Sequence, residues 1–182
     1  MKKRSIQRAI LLLCFFTLAF AIDSYGQSKN KIASLKEDAK VAKAEFLEAD
    51  WRMENRFKDA YGYVIFPNVG KGGLGVGGAA GNGIVYQGGQ EVGVAKLSQL
   101  SIGFQAGGQA YREIIFFQDK AAMDRFTGNN FEFSAQASAV AVTAGASADA
   151  NYEGGVMVFT MQKGGLMYEA SIGGQKFKYD AF

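Results

Sequence analysis

The spacing of the apolar residues changes once along this chain, at about Tyr61, and that change limits the fold more than any other feature. Before it, Ile32, Leu35, Ala39, Ala42, Phe46, Met53 and Phe57 fall on one face of a helix. Asn30 or Ser28 is placed to cap the start, and Gly62 to end the pattern. Asp50 is placed to interrupt it, which makes either one helix or a helix pair. After Tyr61 the runs YGYVIF, GIVYQ, EVGVAKL, AYREIIFF, GGVMVFTM and QKFKYDAF are short and rich in aromatic and branched residues, and several alternate. GNG at 81–83, QGGQ at 87–90 and GNN at 128–130 read as the turns between them. QDKAAMDRF, 118–126, reads as a short helix capped by Asp119. The expected class is α+β: an N-terminal helix or helix pair packed on a curved, mostly antiparallel, glycine-rich sheet of barrel-like form.

Glycine writes the middle of that sheet. GKGGLGVGGAAGNG, 70–83, has eight glycines in fourteen positions. Gly73, Gly75 and Gly78 spell a dinucleotide fingerprint, but that mechanism needs a helix to begin there, and AAGNGIVY continues as strand. A phosphate loop of the Walker type fails too, because Gly72 follows Lys71 where Ser or Thr is required. At period two, Gly73, Gly75 and Gly77 share one face of a strand, and Gly103 and Gly107 in LSIGFQAGG do the same. Such a face permits tight curvature and close packing, or it lines a slot for a ligand such as an acyl chain.

The first residues carry an address. Lys2, Lys3, Arg4 and Arg8 precede the apolar run Ala9–Ile22, which is 14 residues long where a spanning helix needs ~20. With small residues after it, this reads as a signal peptide over 1–26, cut after Ala21 or Gly26, and residues 27–182 read as one domain. The expected location is outside the cytoplasm, in the periplasm or at the envelope. The leader holds four basic groups and Asp23, a net +3, so the formal +3 of the whole chain leaves residues 27–182 neutral. That balance argues against a nucleic-acid partner. Histidine is absent and the one cysteine, Cys14, lies in the leader, which removes the usual zinc ligands and the Ser-His-Asp and Cys-His arrangements. The expectation is a chain without catalytic residues, metal site or cofactor.

Lys29, Lys36, Lys40 and Lys43 form a stripe beside the apolar face of the N-terminal helix. Lysines bordering an apolar stripe suit a helix at a membrane surface, and equally a helix that buries its stripe in its own domain and leaves its lysines in water. Lys71, beside the glycine strand, joins these four as a candidate headgroup contact.

YVIFPNVGKGGLGVGGAAGNGIVY, LSIGFQAGGQAYREIIFF and DKAAMDRFTGNNFEFSAQASAVAV, in that order, resemble the SYLF domain family. The markers are Phe66-Pro67, Lys71 with its glycine strand, Ser101-x-Gly103-x-Gln105-x-Gly107-Gly108, and the segment Phe126 to Phe131. The resemblance implies a non-enzymatic domain that binds anionic phospholipids, phosphoinositides in eukaryotic members, with actin binding in some. Ala79 and Ala80 stand where many members carry a charged or aromatic residue. An attached adaptor domain is not expected, so adaptor partners do not carry over. An exported chain would not meet cytosolic actin, so the expected partner is an acidic phospholipid or membrane surface. The alternative is a structural or protein-interaction module that engages another envelope protein.

Overall fold

The computed structural model describes residues 29–103, 108–129, 131–134, 137–163 and 170–182. The expected leader and Gly107 lie outside the described residues. The chain divides into two compact units, residues 1–36 and 37–182. The described part of the first, 29–36, is helical and belongs to α1, which runs from 29 to 49. In the second unit, α1 stops at Asp50 and α2 follows at Met53–Asp59, so Asp50 does divide the helical pattern into a pair. The cause is its carboxylate, which accepts from Arg52 N at 3.1 Å and from Ser147 N and Oγ at 2.9 and 2.6 Å. Arg56 on α2 donates to the carbonyl oxygens of Ser147 and Ala150, which holds the same 145–150 segment against the helices.

Seven strands follow among the described residues: β1 Gly62–Gln87, β2 Gln90–Gly103, β3 Gly108–Phe117, β4 Ser138–Ala141, β5 Val156–Gln162, β6 Ala170–Ser171 and β7 Gln175–Ala181. The helix α3, Lys120–Thr127, separates β3 from β4, with Asp119 accepting from Ala122 N at 2.8 Å as its cap. The strand order is β6-β4-β5-β3-β1-β2-β7, antiparallel except for the β4–β5 pair. The order has two ends, so the sheet is not a closed barrel. It is nevertheless strongly curled. β6 and β7 stand at least six strand spacings apart, about 29 Å or more on a flat sheet, yet only residues 172–174 join them. That link spans at most about 14 Å.

β1 itself reverses. Its first half pairs with β3 and its second with β2, and the two halves lie side by side. The rings of Tyr63 and Tyr86 stack at 4.8 Å, and Gly88 N donates to Tyr61 O. The turn expected at GNG 81–83 is therefore misplaced: those residues are strand, paired with Leu97 to Ala95, and the reversal falls in the glycines before them. The QGGQ turn is as expected, with Gly88 and Gly89 at φ 56° and 79°. Asn129, at φ 63°, turns the chain after α3.

The curl creates an inside. Val64, Phe66, Val69, Val85, Leu97, Ile115, Phe117, Phe126, Val158 and Phe177 form one buried cluster there. Alternate residues face outward, where Phe57 of α2 meets Tyr63 and Phe116 edge-on at 5.1 and 5.0 Å. Buried Phe46 of α1 belongs to this helical layer, and Glu45 pairs with Arg112 at 2.5 Å.

Gly83 shows why the fold needs glycine. A Cβ there would lie 2.7 Å from both Ile65 O and the Phe66 ring, whereas one at Gly70 would meet nothing within 4 Å. Gly83→Ala is expected to cost ~1–3 kcal/mol by overpacking and Gly70→Ala to change little, measured by urea denaturation. Asp50→Ala orphans the Ser147 donors and is expected to cost ~2–4 kcal/mol. Burial pushes the Asp50 carboxyl up, but the hydrogen bonds from Ser147, Arg52 and Gly145 outweigh it and hold the carboxyl below its ordinary value. Its contribution is therefore present above the unfolded carboxyl pKa and lost as pH falls through the folded one. Acid titration of parent and variant stability should converge at low pH.

Candidate functional site

Two places in the second unit gather polar chemistry. The first lies inside the curl. On β3, Tyr111 and Glu113 face inward between core residues, and their register partners on β5 are Gln162 and Thr160. Gln175, at the start of β7, reaches across and donates through Nε2 to Glu113 Oε2 at 3.0 Å and to Tyr111 Oη at 3.1 Å. Glu113, Thr160 and Gln175 are each 0 % exposed. Burial pushes the Glu113 carboxyl up to about 8, against the opposing hydrogen bond from Gln175. Burial likewise raises the Tyr111 phenol, and Glu113 beside it adds to the rise.

The second place is the outer surface of β2 and β7. Residues 95, 97 and 99 of β2 turn inward, so Lys96, Ser98 and Leu100 turn out; on β7, Lys176 and Lys178 alternate with buried Gln175 and Phe177. The register sets Lys96 opposite Lys178 and Ser98 opposite Lys176. Three ammonium groups thus share two neighbouring strands, with Leu100, 85 % exposed, in the same outward row. Lys96 lies 3.8 Å from Asp180 and Lys176 3.5 Å from Glu132, both exposed pairs of the kind that contribute little. A groove of about 550 Å³ follows this surface, its lining including Lys96, Asn129, Phe131, Glu132, Lys176 and Lys178.

The free edge of β7 is covered along this groove. Phe133 N donates to Gln175 O and Phe177 N to Phe131 O. Asn129 completes the row with its side chain, donating through Nδ2 to Tyr179 O at 3.2 Å and accepting from Tyr179 N. An edge so capped cannot recruit a further strand.

The residues singled out from the sequence are placed as follows. Lys40 pairs with Glu37 at 2.7 Å on the exposed side of α1. Lys43 turns inward: its Nζ sits 4.4 Å above the Phe57 ring and 3.3 Å from Tyr63 Oη, and burial lowers its pKa. Lys29 and Lys36 belong to the first unit, and neither is a free cation. Lys71 is half-buried in β1 opposite Gln109. Gly73 lies in the same strand, and the register sets Gly75 against Gly103 and Gly77 against Ser101. Among the described residues, no group of three His, Cys, Asp or Glu side chains is placed to hold a metal, and no helix is long and apolar enough to cross a membrane. The sequence offers Lys71, Lys163, Lys176 and Lys178 as rim lysines of the sheet, but it does not join Lys96 to Lys176 and Lys178, because that depends on pairing strands about eighty residues apart. Sequence reasoning missed Glu113 and Gln175, which look like ordinary polar positions in AYREIIFF and GGQKFKY.

Residues 98–181 match the model of the family described as "Ysc84: Las17-binding protein actin regulator", the SYLF family, so the resemblance drawn from the sequence is met over that segment. Among curated proteins, "Beta cell expansion factor A" of Aeromonas veronii is 34% identical over 74 residues, 41% of this chain and 28% of that protein. The aligned stretch is thus little more than a quarter of that relative's length.

Asn129→Ala uncovers the end of β7. It is expected to cost ~1 kcal/mol and to speed hydrogen exchange at the Tyr179 amide while leaving the Leu97 amide in β2 unchanged, read by exchange with mass spectrometry or NMR.

Proposed function

We propose that this chain, whose residues 98–181 match the model of the Ysc84 (SYLF) family, is a non-enzymatic module that docks on anionic phospholipid surfaces through the outer face of β2 and β7. The observation that carries the reading is the cross-strand lysine grouping. Like charges set opposite one another on a sheet repel, and the exposed pairs with Asp180 and Glu132 offset this only weakly; headgroup phosphates would add countercharge. Lysine stems lie along apolar surface while their ammonium groups reach the headgroups, and Leu100 beside them offers a side chain for the interface. The match to a family whose description names an actin regulator fits a domain that works at membranes. The expected leader would bring this chain to the periplasm or envelope, where an acidic membrane is at hand and actin is not. The stripe of Lys29, Lys36, Lys40 and Lys43 is a weaker contact in this reading, because Lys40 and Lys43 are already engaged within the domain.

Flotation with acidic and neutral liposomes tests this. Each lysine near an anionic surface is worth ~1 kcal/mol, so Lys96, Lys176 and Lys178 changed together to Gln should weaken binding to acidic liposomes by about 100-fold at low salt. Raising salt should weaken the parent in the same way. Changing Lys29, Lys36, Lys40 and Lys43 to Gln should have the smaller effect. Equal flotation of the triple variant and the parent would overturn the sheet as the contact. No preference of the parent for acidic liposomes would overturn lipid binding and return this face to a protein-interaction role.

A further inference from the structure

We propose that this chain takes up a single anionic phospholipid from the bilayer, with the headgroup in the basic groove of β2 and β7 and an acyl chain in an apolar cavity beside it. The inference rests on the proposed docking of that face to acidic lipid. The cavity has a volume of about 660 Å³, within the ~300–1,000 Å³ usual for ligand pockets. Its lining comes from both ends of the strand order. Val140 belongs to β4, Val156 and Val158 to β5, and Ile172 to the link before β7, while Phe131 and Phe133 belong to the segment that covers the β7 edge. The cavity thus lies where the two ends of the rolled sheet approach each other, a place comparable to the mouth of a barrel.

Two observations select the occupant. The first is apolar surface that the domain leaves half-covered. Phe131, Ala137 and Val156 pack against the core yet are only partly buried, and so is Val140. A hydrocarbon chain lying against them removes that surface from water. The second is continuity. Phe131 and Glu132 line this cavity and also the groove that carries Lys96, Lys176 and Lys178, so the two adjoin. Glu132, at the crossing, already pairs with Lys176 at 3.5 Å. Among the described lining residues of the cavity, Glu132, Asp149 and Glu153 are acidic and none is basic, so an anionic head is turned away from the cavity and toward the groove. A molecule with an anionic head and an apolar chain matches the pair of sites in both parts. A free headgroup would leave the apolar walls uncovered, and a neutral hydrocarbon would leave the lysines unused. A phosphate group, with several acceptor oxygens, can meet more than one of the lysines at once.

The test uses the full chain and vesicles that contain enough pyrene-labelled phosphatidylglycerol to give excimer emission. Removal of single lipids from the bilayer raises monomer emission, and with the parent that rise should saturate at one lipid per chain. Val140→Phe and Val156→Phe each fill the cavity from a different strand, at positions that are only partly buried. Each should abolish the rise while flotation with acidic liposomes stays as in the parent. If one of them does not fold, the other carries the comparison. A parent that floats with acidic liposomes but gives no rise would overturn the uptake of a lipid and leave the docking reading standing; absence of both would remove both. A rise that persists in the cavity-filled variants would overturn the cavity as the site. An equal rise with pyrene-labelled phosphatidylcholine would overturn the basic groove as the seat of the headgroup. Binding of a pyrene-labelled fatty acid without uptake of the phospholipid would overturn the phospholipid as the occupant.

Discussion

Residues 172–174 hold the two ends of the strand order together, and the rest of the second unit follows from that tether. β6 lies at one edge of the sheet and β7 at the other, so a three-residue link is possible only if the sheet rolls up. The roll brings Gln175 to Glu113 although β7 and β3 are separated in the sheet by β1 and β2. It packs Phe177 among Phe66, Phe126, Phe131 and Phe133. It also leaves β7 with an open edge, which the 129–133 segment covers with two main-chain bonds and the Asn129 side chain. A sheet this tight has little room for side chains where backbones approach, and glycine answers that at Gly83, against Phe66, and at Gly93, against Tyr179.

The change of period at Tyr61 was enough to read the layers: helices first, then an antiparallel sheet, with Asp50 dividing the helical part. Those features are local, and local periodicity records them. The reversal within β1 was not legible. GNG looks like a turn by composition, but Asn82 lies in a strand opposite Lys96, and the true reversal falls in a run where glycines stand on both sides of every candidate turn. The parallel β4–β5 pair was equally hidden. Within the run from Phe131 to Val142, which also alternates, Ser138–Ala141 form a strand among the described residues, held by a crossover that no short-range signal announces.

The same division separates what was visible of function. The family markers lie in contiguous stretches, and the match over residues 98–181 meets them. The lysines of α1 were conspicuous because they are close in sequence, yet Lys43 is folded onto Phe57 and Tyr63. The lysines that do share an open surface, Lys96, Lys176 and Lys178, are joined by strand register alone. Likewise Glu113, Thr160 and Gln175 are unremarkable apart and become a polar interior only when β3, β5 and β7 face one another. Rolling the sheet thus gives its two surfaces different work: oxygen-rich inside at one end, basic outside.

The most direct test of this account is the environment of residue 100 in the presence of acidic vesicles. Cys14 is the one cysteine of the sequence and falls within residues 1–26, so the Leu100→Cys chain without those residues carries one site for an environment-sensitive dye. Trp51, the single tryptophan and 70 % exposed between α1 and α2, serves as the internal reference on the helical side. The account predicts a blue shift of the dye at position 100 on adding acidic vesicles, no shift with neutral ones, and an unchanged Trp51 emission. A shift of Trp51 with a silent dye at position 100 would contradict it and assign the membrane contact to the helices.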